Sequence, residues 1–90
     1  MTQRIPRLKR FDPVYIEWLD AFDVDGAWNN IESLIKTLQP YTVTNLGYYI
    51  ETLEDIMIFA TGYEKLHSER VVGAHSIPIG CIMKIKKIKL

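Results

Sequence analysis

One stretch of this chain has a helical period, and everything after it is written at strand length. In residues 26–39, Trp28, Ile31, Leu34, Ile35 and Leu38 recur at spacings of three and four, with Asn29, Asn30, Glu32, Ser33, Lys36 and Thr37 between them. That is the stripe of an amphipathic helix. The preceding Asp23-Val24-Asp25-Gly26 is turn chemistry, and either aspartate is a candidate N-cap. Pro40 ends the segment, because proline disfavours helical geometry in the residue before it.

The remaining elements read as short strands. Pro13 opens the run Val14-Tyr15-Ile16-Glu17-Trp18-Leu19, whose alternation puts Val14, Ile16 and Trp18 on one face. Residues 41–52 are rich in Tyr, Thr, Val and Ile, with Gly47 expected as a bulge or bend. Leu53-Glu54-Asp55 makes a turn into a strand over 56–63 that is apolar on both faces and needs cover on both. A fourth strand is expected over 70–77, then a tight break at Pro78-Ile79-Gly80-Cys81, then a last strand over 82–90. Ile82, Ile85 and Ile88 repeat every three residues, as a helix also allows, but their β-branched side chains favour a strand. Five short strands need a remedy for their edges, so a small barrel or an edge-paired oligomer follows. The expected fold is mainly β: a small five-stranded Sm-like or SH3-like barrel, with one helix at about 26–39 packed against it.

Ninety residues suit a single domain, read as a basic arm over 1–12 and a barrel over 13–90. So short a chain buries only about 60–65% of its unfolded surface, which favours an oligomer. No apolar run approaches the roughly 20 residues that span a bilayer. The basic start has no apolar segment of a signal peptide behind it, so cytoplasmic residence is expected, in a host cell if the protein is phage-encoded.

Charge is segregated along the chain although it sums to zero. Arg4, Arg7, Lys9 and Arg10 crowd one end and Lys84, Lys86, Lys87 and Lys89 the other. All eleven acids lie between them, beside only Lys36, Lys65 and Arg70, so the ends carry +8 and the middle −8. Chain ends often lie close together in small domains, so the eight cations are candidates for one phosphate-binding surface. Lysines that guard a sheet edge, or charges that join subunits, are the competing uses. Tyr41, Tyr48, Tyr49 and Tyr63 are candidates to stack on unpaired bases, Tyr48 foremost, although strand tyrosines more often fill cores or interfaces.

No catalytic or metal motif emerges. His67 and His75 with Glu64 and Glu69 lack a third strong ligand at zinc spacing. Nothing orients Cys81 with His75 as a nucleophile pair, and the lone cysteine fits a small buried hydrophobe. Glu51, Glu54 and Asp55 suit a solvated hairpin tip, and no glycine-rich phosphate loop is present. No cofactor is expected.

Two segments carry a resemblance. Leu46-Gly47-Tyr48-Tyr49-Ile50-Glu51-Thr52-Leu53-Glu54-Asp55-Ile56-Met57-Ile58 has a central glycine and a short acidic turn, and Ser76-Ile77-Pro78-Ile79-Gly80-Cys81-Ile82-Met83-Lys84-Ile85 leads through a proline turn into the last strand. This order resembles the two segments of Sm-like (LSm) proteins, and also short phage and marine-metagenome proteins with an Sm-like barrel. The chain departs from the pattern in having Ile56-Met57-Ile58 after Asp55, without the asparagine, and Ile79-Gly80 without a cation. The resemblance implies a non-enzymatic homo-oligomeric ring of five to seven subunits on single-stranded nucleic acid, RNA before DNA. The alternative expectation is a phage-derived structural adaptor for a protein partner, its basic termini serving assembly.

Overall fold

The computed structural model describes residues 5–21, 28–66 and 69–90 of the chain. Five antiparallel strands form one open sheet: β1 (Pro13–Asp20), β2 (Tyr41–Leu53), β3 (Ile56–Tyr63), β4 (Val71–Pro78) and β5 (Ile82–Lys87), in the order β4-β3-β2-β1-β5. One helix, α1 (Ile31–Thr37), lies between β1 and β2, and a 3₁₀ turn (Ile79–Cys81) joins β4 to β5. Mainly-β architecture, with a single helix among the described residues, is therefore as expected, but the barrel is not closed: β4 and β5 do not pair, and both present a free edge.

β2 organises the sheet by serving two partners in succession. Its first half, Tyr41 to Tyr48, pairs with β1; its second half, Tyr48 to Leu53, pairs with β3. The register skips Ile50, a one-residue irregularity of the kind that bends a strand. The bulge thus falls three residues beyond Gly47, which has a different task. A Cβ on Gly47 would lie 2.7 Å from the Ala60 carbonyl oxygen and 2.8 Å from Phe59 Cδ2, so the glycine lets β3 fold close over β2. Gly73 takes φ +66° and keeps β4 clear of the Thr61 hydroxyl, a geometry that glycine tolerates.

Against this bend sits a small core of Val14, Ile16, Met57, Phe59, Ile77, Ile82 and Ile85. Val14 and Ile16 come from one face of β1, as alternation requires, and Trp18 continues that face half-buried, its indole N–H donating to Asn45 Oδ1 at 2.8 Å. β5 explains the three-residue isoleucine spacing. Its register against β1 runs from Trp18–Ile82 directly to Glu17–Lys84, leaving Met83 as an extra residue. The bulge returns Ile85 to the core side that Ile82 occupies, so a period of three arises in a strand. Residues 5–12 do not trail away from this core: Ile5 and Leu8 pack against it, and the backbone of Phe11 and Asp12 bonds to Tyr49.

The helix differs from expectation in length and in packing. It begins at Ile31 because Asn30 caps it, the Asn30 side chain accepting from the Ser33 N–H at 3.2 Å. Asp23, Asp25 and Gly26, the expected cap and start, lie outside the described residues. None of its residues is buried and none joins the core cluster, so α1 is not packed on the sheet. The molecule is correspondingly long, 52 × 27 × 25 Å. No helix among the described residues is long and apolar enough to cross a membrane.

Gly47→Ala should cost about 1–3 kcal/mol in urea unfolding, since backbone and a buried ring must both give way. Gly80→Ala, with nothing within 4 Å of the new methyl, should stay within about 0.5 kcal/mol. Equal losses at the two sites would refute the close-approach role of Gly47.

Candidate nucleic-acid interface

Because β2 changes partners at Tyr48, the sheet forks there. Tyr48 is paired on both sides, to Pro13 of β1 and Ala60 of β3; before it β2 has no register with β3. A cavity of about 320 Å³ opens in the fork, lined by Leu46, Gly47, Tyr48, Thr61, Pro13 and the C-terminal Ile88 and Leu90. The Tyr48 ring meets Tyr63 edge-on at 5.0 Å, and Tyr63 stacks on Phe11 at 4.1 Å. Phe11 holds φ +74° in the turn closed by the Asp12 N–H to Lys9 carbonyl bond, and its stacked ring offsets that backbone strain.

Pleating places the last-strand lysines with this tyrosine. Residues opposite one another in antiparallel strands share a face. Lys84 lies opposite Glu17, which lies opposite Thr44; Lys86 lies opposite Tyr15, which lies opposite Leu46. Tyr48, opposite Pro13, continues the same face of β2. Lys86 Nζ stands 5.6 Å from the centre of the Tyr15 ring, within cation–π range. The Tyr15 hydroxyl donates to Glu17 at 2.5 Å, which fixes the ring and holds an acid among the lysines.

The eight terminal cations are not equally available. Arg10 donates to Glu51 at 2.6 Å and to the Ile50 carbonyl at 3.3 Å, and Lys87 lies 3.5 Å from Asp12. Arg7, Lys9, Lys84 and Lys89 are exposed and make no ion pair among the described residues. Arg4 lies outside the described residues. The two terminal segments do meet: the Ile88 N–H donates to the Pro13 carbonyl at 2.8 Å, beside the Lys87–Asp12 pair.

At the other end of the sheet the two segments of the sequence resemblance converge. The Ile79 N–H donates to the Asp55 carbonyl at 2.8 Å, and Ile56 pairs with Pro78. The exposed side chains there include Glu54 and Asp55, an unfavourable setting for phosphate. No cluster of three His, Cys, Asp or Glu residues that could hold a metal occurs among the described residues. His67 lies outside them, His75 stacks on Phe59 at 5.1 Å, and half-buried Cys81 packs against the core. Sequence reading passed over Tyr15 and Phe11. The Tyr15–Glu17 spacing of two, which puts both on one strand face, was the available signal.

Two titrations follow from this geometry. The Lys9 N–H, donating to Asp12 Oδ2 at 2.7 Å, holds the Asp12 carboxyl below its ordinary 3.8; burial opposes this, and the nearby charge of Lys87 adds a smaller lowering. Its stabilising contribution is present above about pH 4 and lost as the pH falls through the lower folded value. Asp12→Asn should therefore lower stability at neutral pH and flatten the acid limb of a pH–stability curve. The bond to the Glu17 carboxylate, then burial, raises the Tyr15 phenol above 10. That contribution is present below pH 10 and lost as the pH rises through the folded value. Absorbance titration should show a late-ionising phenol that is absent in Tyr15→Phe and shifted earlier in Glu17→Gln. Comparison of the chain with protein-family models, with curated proteins and with solved structures finds no match.

Proposed function

We propose that this protein is a non-enzymatic, cytoplasmic binder of single-stranded nucleic acid, RNA before DNA, acting as a homo-oligomeric ring. The observation that carries the reading is the common sheet face of Lys84, Lys86 and Tyr48, with the apolar fork at Tyr48. Single-strand binding combines backbone cations with aromatic platforms, and an unstacked base has a ring for partner where a duplex offers none. Arg7, Lys9 and Lys89, exposed and without an ion pair among the described residues, are further candidates for phosphate contact; Arg10 and Lys87, already held by acids, contribute less.

The ring is supported by the two unpaired edges. Joining β4 of one copy to β5 of the next continues the sheet, and a heterologous joint of this kind closes when its rotation divides a full turn. Val71, Val72 and Met83 stand exposed on those two strands, so the joint also removes apolar surface from water. Five to seven subunits is the expected range. The second reading, an adaptor whose basic ends serve assembly, draws on the Arg10–Glu51 and Lys87–Asp12 pairs, in which terminal cations are held by acids of the same chain and are not left for phosphate.

Anisotropy of labelled oligo-U and oligo-dT at two salt concentrations separates these readings. Saturable binding should weaken steeply with salt. Lys84→Glu/Lys86→Glu should lower affinity for oligo-U at least tenfold and reduce the log–log salt slope by about 1.4, at about 0.7 per lost phosphate contact. Unchanged affinity in that double variant removes the proposed face. Absence of binding at low salt, with an oligomer that dissociates at high salt, leaves the assembly reading.

A further inference from the structure

We propose that α1 is a dimerisation element that pairs antiparallel with α1 of a second copy, a contact separate from the sheet edges. The helix has seven residues, none buried, and gains nothing from the core cluster. Helices below about 12–15 residues are marginal in water without tertiary support. Yet three of the five residues of its apolar stripe face solvent: Ile31 is 73% exposed and Ile35 67%, and the adjoining Trp28 is fully exposed, while Leu34 and Leu38 are half-buried. A tryptophan alone buries about 150–250 Å² when covered. With the exposed parts of the two isoleucines, and doubled by symmetry, the area approaches the roughly 1,000 Å² expected of a specific interface.

Charge identifies the occupant. Glu32 sits in the first turn and Lys36 in the last, one helical turn apart and on the same flank of the stripe. A two-fold axis across the stripe runs the helices antiparallel and brings like flanks together. Glu32 then stands level with Lys36 of the partner subunit, and the pair occurs twice. The parallel arrangement instead sets this flank against Ser33 and Thr37, where no charges meet. Antiparallel pairing also opposes the two helix dipoles favourably. A stripe whose own flank supplies both signs in this order is complementary to itself.

The test is the mass of the intact chain by light scattering over a dilution series, without nucleic acid, so it does not depend on the binding reading. Ile31→Glu/Ile35→Glu should halve the mass whatever number of subunits the sheet edges join, with the β-sheet circular dichroism retained. Glu32→Lys and Lys36→Glu alone should each weaken the pair about tenfold, and together restore it to within twofold. The emission difference between the wild type and Trp28→Phe should report a covered indole that moves to the red on dilution. A wild-type mass that Ile31→Glu/Ile35→Glu leaves unchanged overturns the proposal. So does a charge-swapped double variant no better than the singles, or a Trp28 fully exposed to quencher at every concentration.

Discussion

The structure depends on β2 crossing from one neighbour to another at Tyr48. A strand paired evenly on both sides along its length would give a flat sheet with no interior. By pairing first with β1 and then with β3, β2 turns the two outer pairs of strands toward each other, and the core lies between them. Gly47 makes the approach sterically possible, and the skipped Ile50 supplies the bend. The same departure leaves a fork on the outside of the sheet, so the cavity beside Tyr48 and the buried cluster around Phe59 are two results of one change of partner.

With so few fully buried side chains, peripheral segments have to complete the core. Ile5 and Leu8 close one side, and Trp18, Tyr49, Ile79 and Cys81 close the others. The polar ties follow the same logic. Arg10 with Glu51 and Lys87 with Asp12 fasten terminal segments to the sheet, while their exposure keeps each worth little individually. Segregated charge in the sequence therefore serves two ends: some cations anchor the chain, and Arg7, Lys9, Lys84 and Lys89 are left for other uses.

What was legible in the sequence was local. Alternation in β1 and the turn before Ile56 each rest on neighbours a few residues apart, and each stands where the pattern put it, while the helix stops at Thr37, short of the expected Gln39. Partners far along the chain were not legible. The period of three at Ile82, Ile85 and Ile88 looked ambiguous because a bulge can be assigned only against the opposing strand. The stripe of α1 was plain, but a stripe says that a face is apolar and not what covers it; its cap moved to Asn30 because several Asx residues compete over that stretch. In the candidate site, the segregation of cations was readable, whereas their distribution between acids and solvent depended on Glu51 and on Asp12, placed by folding. Tyr48 was singled out for its ring; its position at the fork came from pairing no pattern encodes.

The ladder between β1 and β5 joins nearly opposite ends of the chain, Val14 lying across from Lys87. The β2–β3 hairpin closes over a short turn and can form early, but this ladder must wait until β5, about seventy residues further along the chain, has been made. During synthesis β1 therefore stands as an open edge, its core-facing Val14 and Ile16 without their final cover. The basic strand β5 covers the open side of β1 as well as offering the candidate surface for phosphate. A chain that lost it would forfeit the native sheet along with its lysines, and quality control in the cell would meet that defect first.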